Sequence, residues 1–180
     1  MMEERLRILR ESFDRTFALP PVAPAQGRES FLAIRVAGDP YVVRLRDLAG
    51  LERRTKIAPL PGVTPGFLGL AAIRGRLVPV YSLDALLGYG PARQEWRWLA
   101  LCRADESAEP AGFAFEAIEG LIQASRSEIH AVSRDGVLQA HVPEVLRVAS
   151  PEAPVYGVVS IKSICASLGA PRGAPFTGKE

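Results

Sequence analysis

Apolar residues recur at helical spacing over the first 18 positions of the chain. One stripe collects the large apolar side chains Met2, Leu6, Leu9, Phe13 and Phe17. Acidic and basic residues balance on the other positions, so this segment is predicted to be an amphipathic helix with a solvated face. Several prolines follow between residues 19 and 27, and they predict an extended linker because proline fixes φ and lacks an amide hydrogen.

From residue 31 onward, short apolar runs alternate with turn residues, which is typical of β structure. The predicted strands cover residues 31–36, 41–45, 67–73, 77–81, 98–102, 112–117, 118–123, 137–141, 146–148 and 156–161. Residues 67–73 are apolar on both faces and are predicted to form a fully buried strand. The prolines in residues 57–62 exclude that segment from the inside of a sheet, because each would leave a ladder position empty.

One local pattern occurs twice: a strand, a serine, a short helix and a glycine. The serines are Ser82 and Ser160, each a predicted helix cap, and the glycines that end the helices are Gly88 and Gly169. Two interpretations stay open, a common strand-to-helix junction met twice or two similar β units. The last residues, 171–180, are rich in proline and glycine and are predicted to be disordered.

Composition excludes several classes of protein. The chain has 180 residues, of which 48% are hydrophobic and 23% charged, which predicts a globular domain and excludes wholesale disorder. The net charge of +2 provides no basic field of the kind that holds DNA, so no nucleic-acid partner is expected. Because neither a signal sequence nor a membrane span is recognisable, a cytoplasmic protein without direct membrane insertion is expected.

The chain lacks the patterns of common catalytic and phosphate-binding motifs, including the nucleophile elbow and the Walker loop. Cys102 and Cys165 are expected to be buried structural thiols, since reactive thiolates need accessible, electropositive sites. His130 and His141 have no metal-ligand spacing and are expected on the surface or in loops. The prediction is therefore a protein that is not an enzyme, with no catalytic, cofactor or metal site.

Two charged clusters have simple interpretations. Glu116 and Glu119 resemble an acid pair, but they lie in a strand region without a matching base. The basic residues within 53–56 are not interleaved with aromatic residues, which favours a solvated loop over a nucleic-acid patch. A β domain without a reaction centre is expected to act through surfaces, such as apolar edges and the groove between two β units.

Two stretches of the chain resemble the CheW family of chemotaxis adaptor proteins. The first runs from the proline loop at residues 59–61 through the segment 69–83, with Ile73-Arg74-Gly75 and Val78-Pro79-Val80 as its core. The second is residues 112–118, with Glu116 in the acidic place. The resemblance covers roughly residues 30–170.

Three positions depart from the family pattern. Ala72 replaces the signature asparagine, and Ser82 replaces the usual aspartate after the Pro-Val strand. Gly50 stands where a glutamate often pairs with the signature arginine, which is matched by Arg74. Glu52 is close enough in sequence to take that place.

The resemblance implies a mainly β fold with two SH3-like, five-stranded β-barrels around a shared core, short helices and an N-terminal helical extension. The domain would span residues 31–170, after a helix and linker in residues 1–30. It also implies a non-catalytic adaptor that couples a chemoreceptor's cytoplasmic tip to the regulatory domain of a CheA-type histidine kinase, with recruitment to membrane receptor arrays. The alternative is a divergent module that binds a receptor or regulator but has lost kinase coupling.

Site residues follow from the same resemblance, residue by residue. Leu48, Arg74 and Ile118 would line a receptor-binding groove, where apolar anchors give affinity and an arginine fixes the register. Leu51 and Gly69 would form the kinase contact. The simpler interpretations are that Leu48 and Ile118 belong to the core and that Gly69 only relieves crowding.

The apolar face of the N-terminal helix is expected to dock on a protein surface. Its docking residues are Leu6, Leu9, Phe13 and Phe17. An isolated helix of this length is marginal in water, so packing must stabilise it. The surface would belong either to the protein itself or to another chain.

Overall fold

The structure, a computed structural model, describes residues 27–53, 55–60, 66–91, 96–105, 107–132, 141–148 and 153–168. The strands are β1 (Arg28–Val36), β2 (Asp39–Arg44), β3 (Leu48–Arg53), β4 (Ile57–Ala58), β5 (Phe67–Ile73), β6 (Arg76–Ser82), β7 (Trp98–Cys102), β8 (Ala111–Phe115), β9 (Ala117–Ser125), β10 (Ile129–Ala131), β11 (Glu144–Arg147) and β12 (Val155–Val159). The helices are α1 (Leu83–Leu86), α2 (Ile161–Ser167) and the 3-10 turns Leu45–Asp47 and Arg126–Glu128. The predicted mainly β class is confirmed.

Some sequence predictions fall outside the described residues. They are the N-terminal helix with its docking face, the proline linker, Gly169, the tail, and residues 137–140 of one predicted strand. Three strands were not predicted: β3, β4 and β10. Strand β4 lies at the edge of its sheet, so the prolines beside it leave no gap in a sheet interior.

The strands form two six-stranded sheets with the same arrangement. Sheet A has the order β10-β11-β12-β2-β1-β9, and sheet B has the order β4-β5-β6-β8-β7-β3. Each contains one parallel pair at the same place in its order, β12 with β2 and β6 with β8. One edge strand in each sheet has only two or three residues, and without it each sheet has the five strands that the resemblance implied.

The two β units are not consecutive halves of the chain. Sheet B is built from β3 to β8, whereas sheet A joins β1 and β2 to β9 through β12. The repeated junction lies at equivalent places, because α1 and α2 both follow the strand that pairs in parallel. Both serine caps are confirmed: Ser82 Oγ accepts a hydrogen bond from Ala85 N at 3.5 Å, and Ser160 Oγ accepts one from Ser163 N at 3.3 Å.

Buried side chains form three clusters, one for each sheet and one that both sheets share. Strand β1 shows how they are separated, because side chains alternate between the two faces of a strand. Phe31 packs in the cluster of sheet A, whereas Leu32 packs in the shared cluster. Sheet B has its own cluster, and Tyr81 and Phe113 extend from sheet B into the shared cluster. The implied arrangement of two β units around a common core is therefore present.

Hydrogen bonds also connect the loop after α1 to β2 of sheet A. Tyr89, which follows α1, donates a hydrogen bond to the Asp39 carboxylate, and its hydroxyl lies 2.7 Å from that of Tyr41. Burial raises the pKa of Tyr41 and of Tyr89, so both tyrosines stay protonated and able to donate at neutral pH. Within the described residues, no helix has the length and apolar character needed to span a lipid bilayer.

Candidate protein-interaction surfaces

Partly buried apolar side chains pack against the shared core, and four of them come from β3, β7 and β9. They are Leu48, Leu51, Trp98 and Ile118, here called the groove rim. Three of them are on β3 and β7 of sheet B, and Ile118 is on β9 of sheet A, opposite Ile34. The predicted residues Leu48, Leu51 and Ile118 therefore contact one common core, and none of them is fully buried.

Arg74 occupies the turn between β5 and β6. It has a φ of +50° and precedes Gly75 at +78°, which is the backbone of a tight two-residue hairpin turn. Its side chain is 71% exposed, and its Nη2 lies 3.6 Å from Glu52 Oε1. The predicted replacement of the usual glutamate partner by Glu52 is confirmed. Because β3 and β5 are near opposite ends of the strand order, this contact brings the two ends of sheet B together, as in a barrel.

Gly69 lies on β5 where the backbone of β4 approaches it closely. A Cβ at this position would be only 2.1 Å from the carbonyl oxygen of Ala58, and the φ of +134° favours glycine. The close approach of β4 is thus sufficient to require a glycine here. Leu51 is on β3, which pairs with β7 and not with β5, so strand pairing does not place these two residues side by side.

The outer side of the β5–β6 hairpin is apolar and open to solvent. Its residues are Leu70, Ala72, Leu77 and Pro79, here called the apolar hairpin face; Leu70 is paired with Pro79 and Ala72 with Leu77. Leu77 is 71% exposed, whereas Ala71 and Val78 on the inner side are buried. The prediction of a strand buried on both faces is therefore wrong for β5. The apolar residues on both faces of residues 67–73 were compatible with this exposed surface, but burial was the simpler interpretation.

The charged and nucleophilic residues have structural roles. Arg35 Nη2 lies 2.5 Å from Glu119 Oε1, and Glu116 Oε2 accepts a hydrogen bond from Gly38 N at 3.1 Å. Both glutamates therefore contact the β1–β2 region, each through a different partner. Burial raises the pKa of the Cys102 and Cys165 thiols, which keeps them protonated. No group of three or more metal-ligating side chains occurs within the described ranges.

The two histidines differ in their surroundings. His130 is exposed on β10, as expected for a surface residue. His141 lies in the loop before β11, as expected, and is partly buried beside α2, with Nδ1 at 3.1 Å from Ser163 Oγ and its carbonyl oxygen at 2.8 Å from Ser160 N. Its role is therefore to support the start of this helix.

Comparisons with known proteins agree with this geometry. The sequence model of the family described as CheW-like domain matches residues 30–163. A comparison with curated proteins gives no match. The fold is similar to the crystal structure of the scaffolding protein TtCheW from Thermoanaerobacter tengcongensis, with a TM-score of 0.65 and 15% identity, covering 76% of this chain and 91% of that chain. At this low identity the similarity shows the fold alone.

Proposed function

This chain belongs to the family of CheW-like domains, and from that premise we propose that it is a non-catalytic adaptor coupling chemoreceptors to a CheA-type histidine kinase. The observation that carries the proposal is the apolar hairpin face, on which Leu77 is 71% exposed among other apolar side chains. A contiguous exposed apolar surface is typical of a protein-interaction site. Recruitment to a membrane receptor array would follow from the receptor contact.

The kinase regulatory domain is proposed to bind sheet B. The resemblance assigns this contact to Leu51 and Gly69, and Gly69 is followed directly by Leu70 of the apolar hairpin face. Burial of exposed apolar surface contributes about 25 cal/mol per Å² before the costs of association, so Leu77 is the most informative side chain to change.

The receptor tip is proposed to bind at the groove rim. Its apolar side chains suit a helix laid into a groove, and Arg74 beside β3 offers a charged group that fixes the register of the helix. By resemblance the contacting residues are Leu48, Arg74 and Ile118. The receptor residues are thus different from the kinase residues Leu51 and Gly69, although Leu51 also belongs to the groove rim.

The test is a binding measurement of the full chain with a CheA-type regulatory domain. We expect L77D to lose at least tenfold in affinity because a carboxylate would be buried in an apolar contact. The matched control is L121D, since Leu121 is 69% exposed but lies on sheet A. Both variants should keep their melting temperature. Binding of L77D at the wild-type level would contradict the proposed kinase surface.

A second candidate is a divergent module that binds a receptor or regulator without the kinase. The observation that favours it is Gly50, because Arg74 pairs with Glu52 and not with a glutamate at residue 50. The same measurement with a helical receptor-tip fragment separates the two candidates. Binding of the fragment together with no binding of the regulatory domain would establish the second candidate, and binding of both would establish the first.

A further inference from the structure

An open cleft of about 700 Å³ lies at one end of sheet A, apart from the surfaces described above. The charged residues that line it are Arg28, Arg44, Arg46, Arg126, Glu29 and Glu144. They come from the start of β1, the end of β2 and the two 3-10 turns, together with β11. Four arginines face two glutamates here, so the lining has an excess of positive charge.

The two glutamates are already engaged by Arg44, whose side chain is only 13% exposed. Its Nε lies 3.2 Å from Glu29 Oε1, and its Nη2 is hydrogen-bonded to Glu144. Burial alone would lower the pKa of Arg44, but the two carboxylates raise it, so the group stays charged. Arg46 adds a second contact to Glu29, at 3.0 Å. The negative charges of Glu29 and Glu144 are thus largely neutralised by arginines of the cleft itself.

Arg28 and Arg126 have no such partner. Within the described part of the chain, neither forms an ion pair or a side-chain hydrogen bond, and both are exposed. Strand pairing brings them together, because Arg28 lies opposite Ser125 in the β1–β9 ladder and Arg126 follows that serine. Two guanidinium groups without an ion-pair partner among the described residues therefore line the same cleft. Guanidinium forks bind carboxylate and phosphate oxygens in pairs, so the site is suited to an anionic ligand.

An apolar side chain in the same cleft narrows the class of ligand. Leu45 is 38% exposed and lines the cleft beside Arg44 and Arg46. None of the described residues that line the cleft is aromatic, which offers nothing for a nucleotide base to stack on. The cleft is also much larger than a single inorganic anion. An acidic peptide with an apolar residue between its carboxylates fits these features.

The chain's own N-terminal segment is a poorer occupant. Residues 1–18 contain four acidic and four basic residues, so they offer no net charge to the cleft. We propose that the cleft binds an acidic peptide segment of a partner protein, with carboxylates bound by Arg28 and Arg126 and an apolar side chain packed against Leu45. This site goes beyond the receptor and kinase contacts and does not depend on either.

The test uses the full chain and isothermal titration with the peptide acetyl-Glu-Glu-Leu-Glu-Glu-amide. Its matched probe has glutamine in place of every glutamate, and a third titration uses inorganic phosphate. We expect the acidic peptide alone to bind, with affinity that falls as salt rises. The double variant R28Q/R126Q should bind it at least tenfold more weakly. The control R97Q removes an exposed arginine before β7 of sheet B and should bind as the wild type does.

Each other outcome overturns the proposal. Absence of peptide binding to the wild-type chain, or equal binding by R28Q/R126Q, would remove the cleft as the site. Equal binding of the glutamine peptide would mean that carboxylates are not recognised. Phosphate binding as tightly as the acidic peptide would reassign the site to small anions. Kinase and receptor binding by R28Q/R126Q should be unchanged, which separates this result from the proposed adaptor function.

Discussion

The guanidinium group of Arg74 lies against Gly50, where a Cβ would be 3.5 Å from Arg74 Nη2. The carboxylate that pairs with Arg74 is instead Glu52, at 3.6 Å. The contact fastens the β5–β6 turn to β3, and the space next to Gly50 is the place where the family pattern has a glutamate. A larger side chain at residue 50 would fill this space and test what the pairing of Arg74 contributes.

Substituting Gly50→Glu is expected to give Arg74 a second carboxylate partner. Because both groups are near the surface, the free energy of unfolding should rise by only about 0–1 kcal/mol relative to Gly50→Gln, and the difference should vanish in high salt. Urea unfolding of the two variants at low and high salt measures it. A glutamate variant that is less stable than the glutamine variant would contradict the arrangement.

Substituting Arg74→Ala should likewise cost no more than about 1 kcal/mol in the free energy of unfolding, while it weakens receptor binding.

Glycine at residue 69 is predicted to be indispensable for the attachment of β4. Gly69→Ala would place a Cβ 2.1 Å from Ala58 O at a φ of +134°, so we expect a loss of about 3 kcal/mol or more in the free energy of unfolding. The matched variant is Gly75→Ala, which also has a positive φ but no atom within 4 Å, and it should cost about 1 kcal/mol. Equal losses of stability in the two variants would show that β4 can move away from residue 69 at little cost in free energy. A Gly69→Arg variant would therefore disturb the fold, and Leu77 tests the kinase contact more cleanly.

The strands and caps were largely predictable, whereas their pairing was not. Periodicity and turn residues located β1, β2, β5 to β9, β11 and β12, and the serines located both helices. Strand β3 was missed because a bulge between Leu48 and Gly50 adds one residue, which places Leu48 and Leu51 three positions apart and hides the two-residue period of a strand. Strand β10 has three residues, too few for a pattern to emerge. The insertion of β1 and β2 into sheet A depends on contacts across most of the chain, which local patterns do not contain.

The candidate surfaces were predictable to different degrees. Leu48, Leu51, Gly69, Arg74 and Ile118 came from the resemblance, and their roles stay predictions. The sequence did not predict the apolar hairpin face, because an apolar strand can be buried on both faces or exposed on one. The arginine cleft had no sequence signal at all, since only the β1–β9 ladder brings Arg28 and Arg126 to the same cleft.

His141 is expected to make the protein less stable in weak acid. Burial lowers the pKa of His141 below its ordinary value, so the unfolded chain takes up this proton at a higher pH than the folded chain does. The stabilisation is therefore complete above a pH of about 6.5 and is lost as the pH falls from there through the lower pKa of the folded state. Once protonated, Nδ1 carries a proton and can only donate to Ser163 Oγ.

Urea unfolding between pH 7.5 and 5 measures this effect. His141→Gln should flatten the pH dependence, whereas His130→Gln, at an exposed position on β10, should retain it. The same slope in the wild type and in His141→Gln would assign the dependence to other groups.

The N-terminal segment is predicted to stabilise the domain by docking its apolar face on the protein itself. Deletion should end at residue 26, because Arg28 and Glu29 already belong to β1 and Glu29 contacts Arg44. Burial of a phenylalanine side chain contributes about 1.5–3 kcal/mol, and 1 kcal/mol shifts the melting temperature of a chain of this size by about 2–4 °C. The deletion should therefore lower the melting temperature by at least about 3 °C and increase the binding of a hydrophobic dye.

A point variant separates docking from a general effect of shortening the chain. Phe13→Asp places a charge within the apolar stripe and should reproduce the loss seen on deletion, whereas Arg10→Gln on the polar face should not. The oligomeric state, measured by light scattering, distinguishes docking within one chain from docking between two copies, since only the latter depends on concentration. A truncated chain with unchanged melting temperature, dye binding and oligomeric state would exclude both forms of docking and leave a foreign partner as the only surface for this stripe.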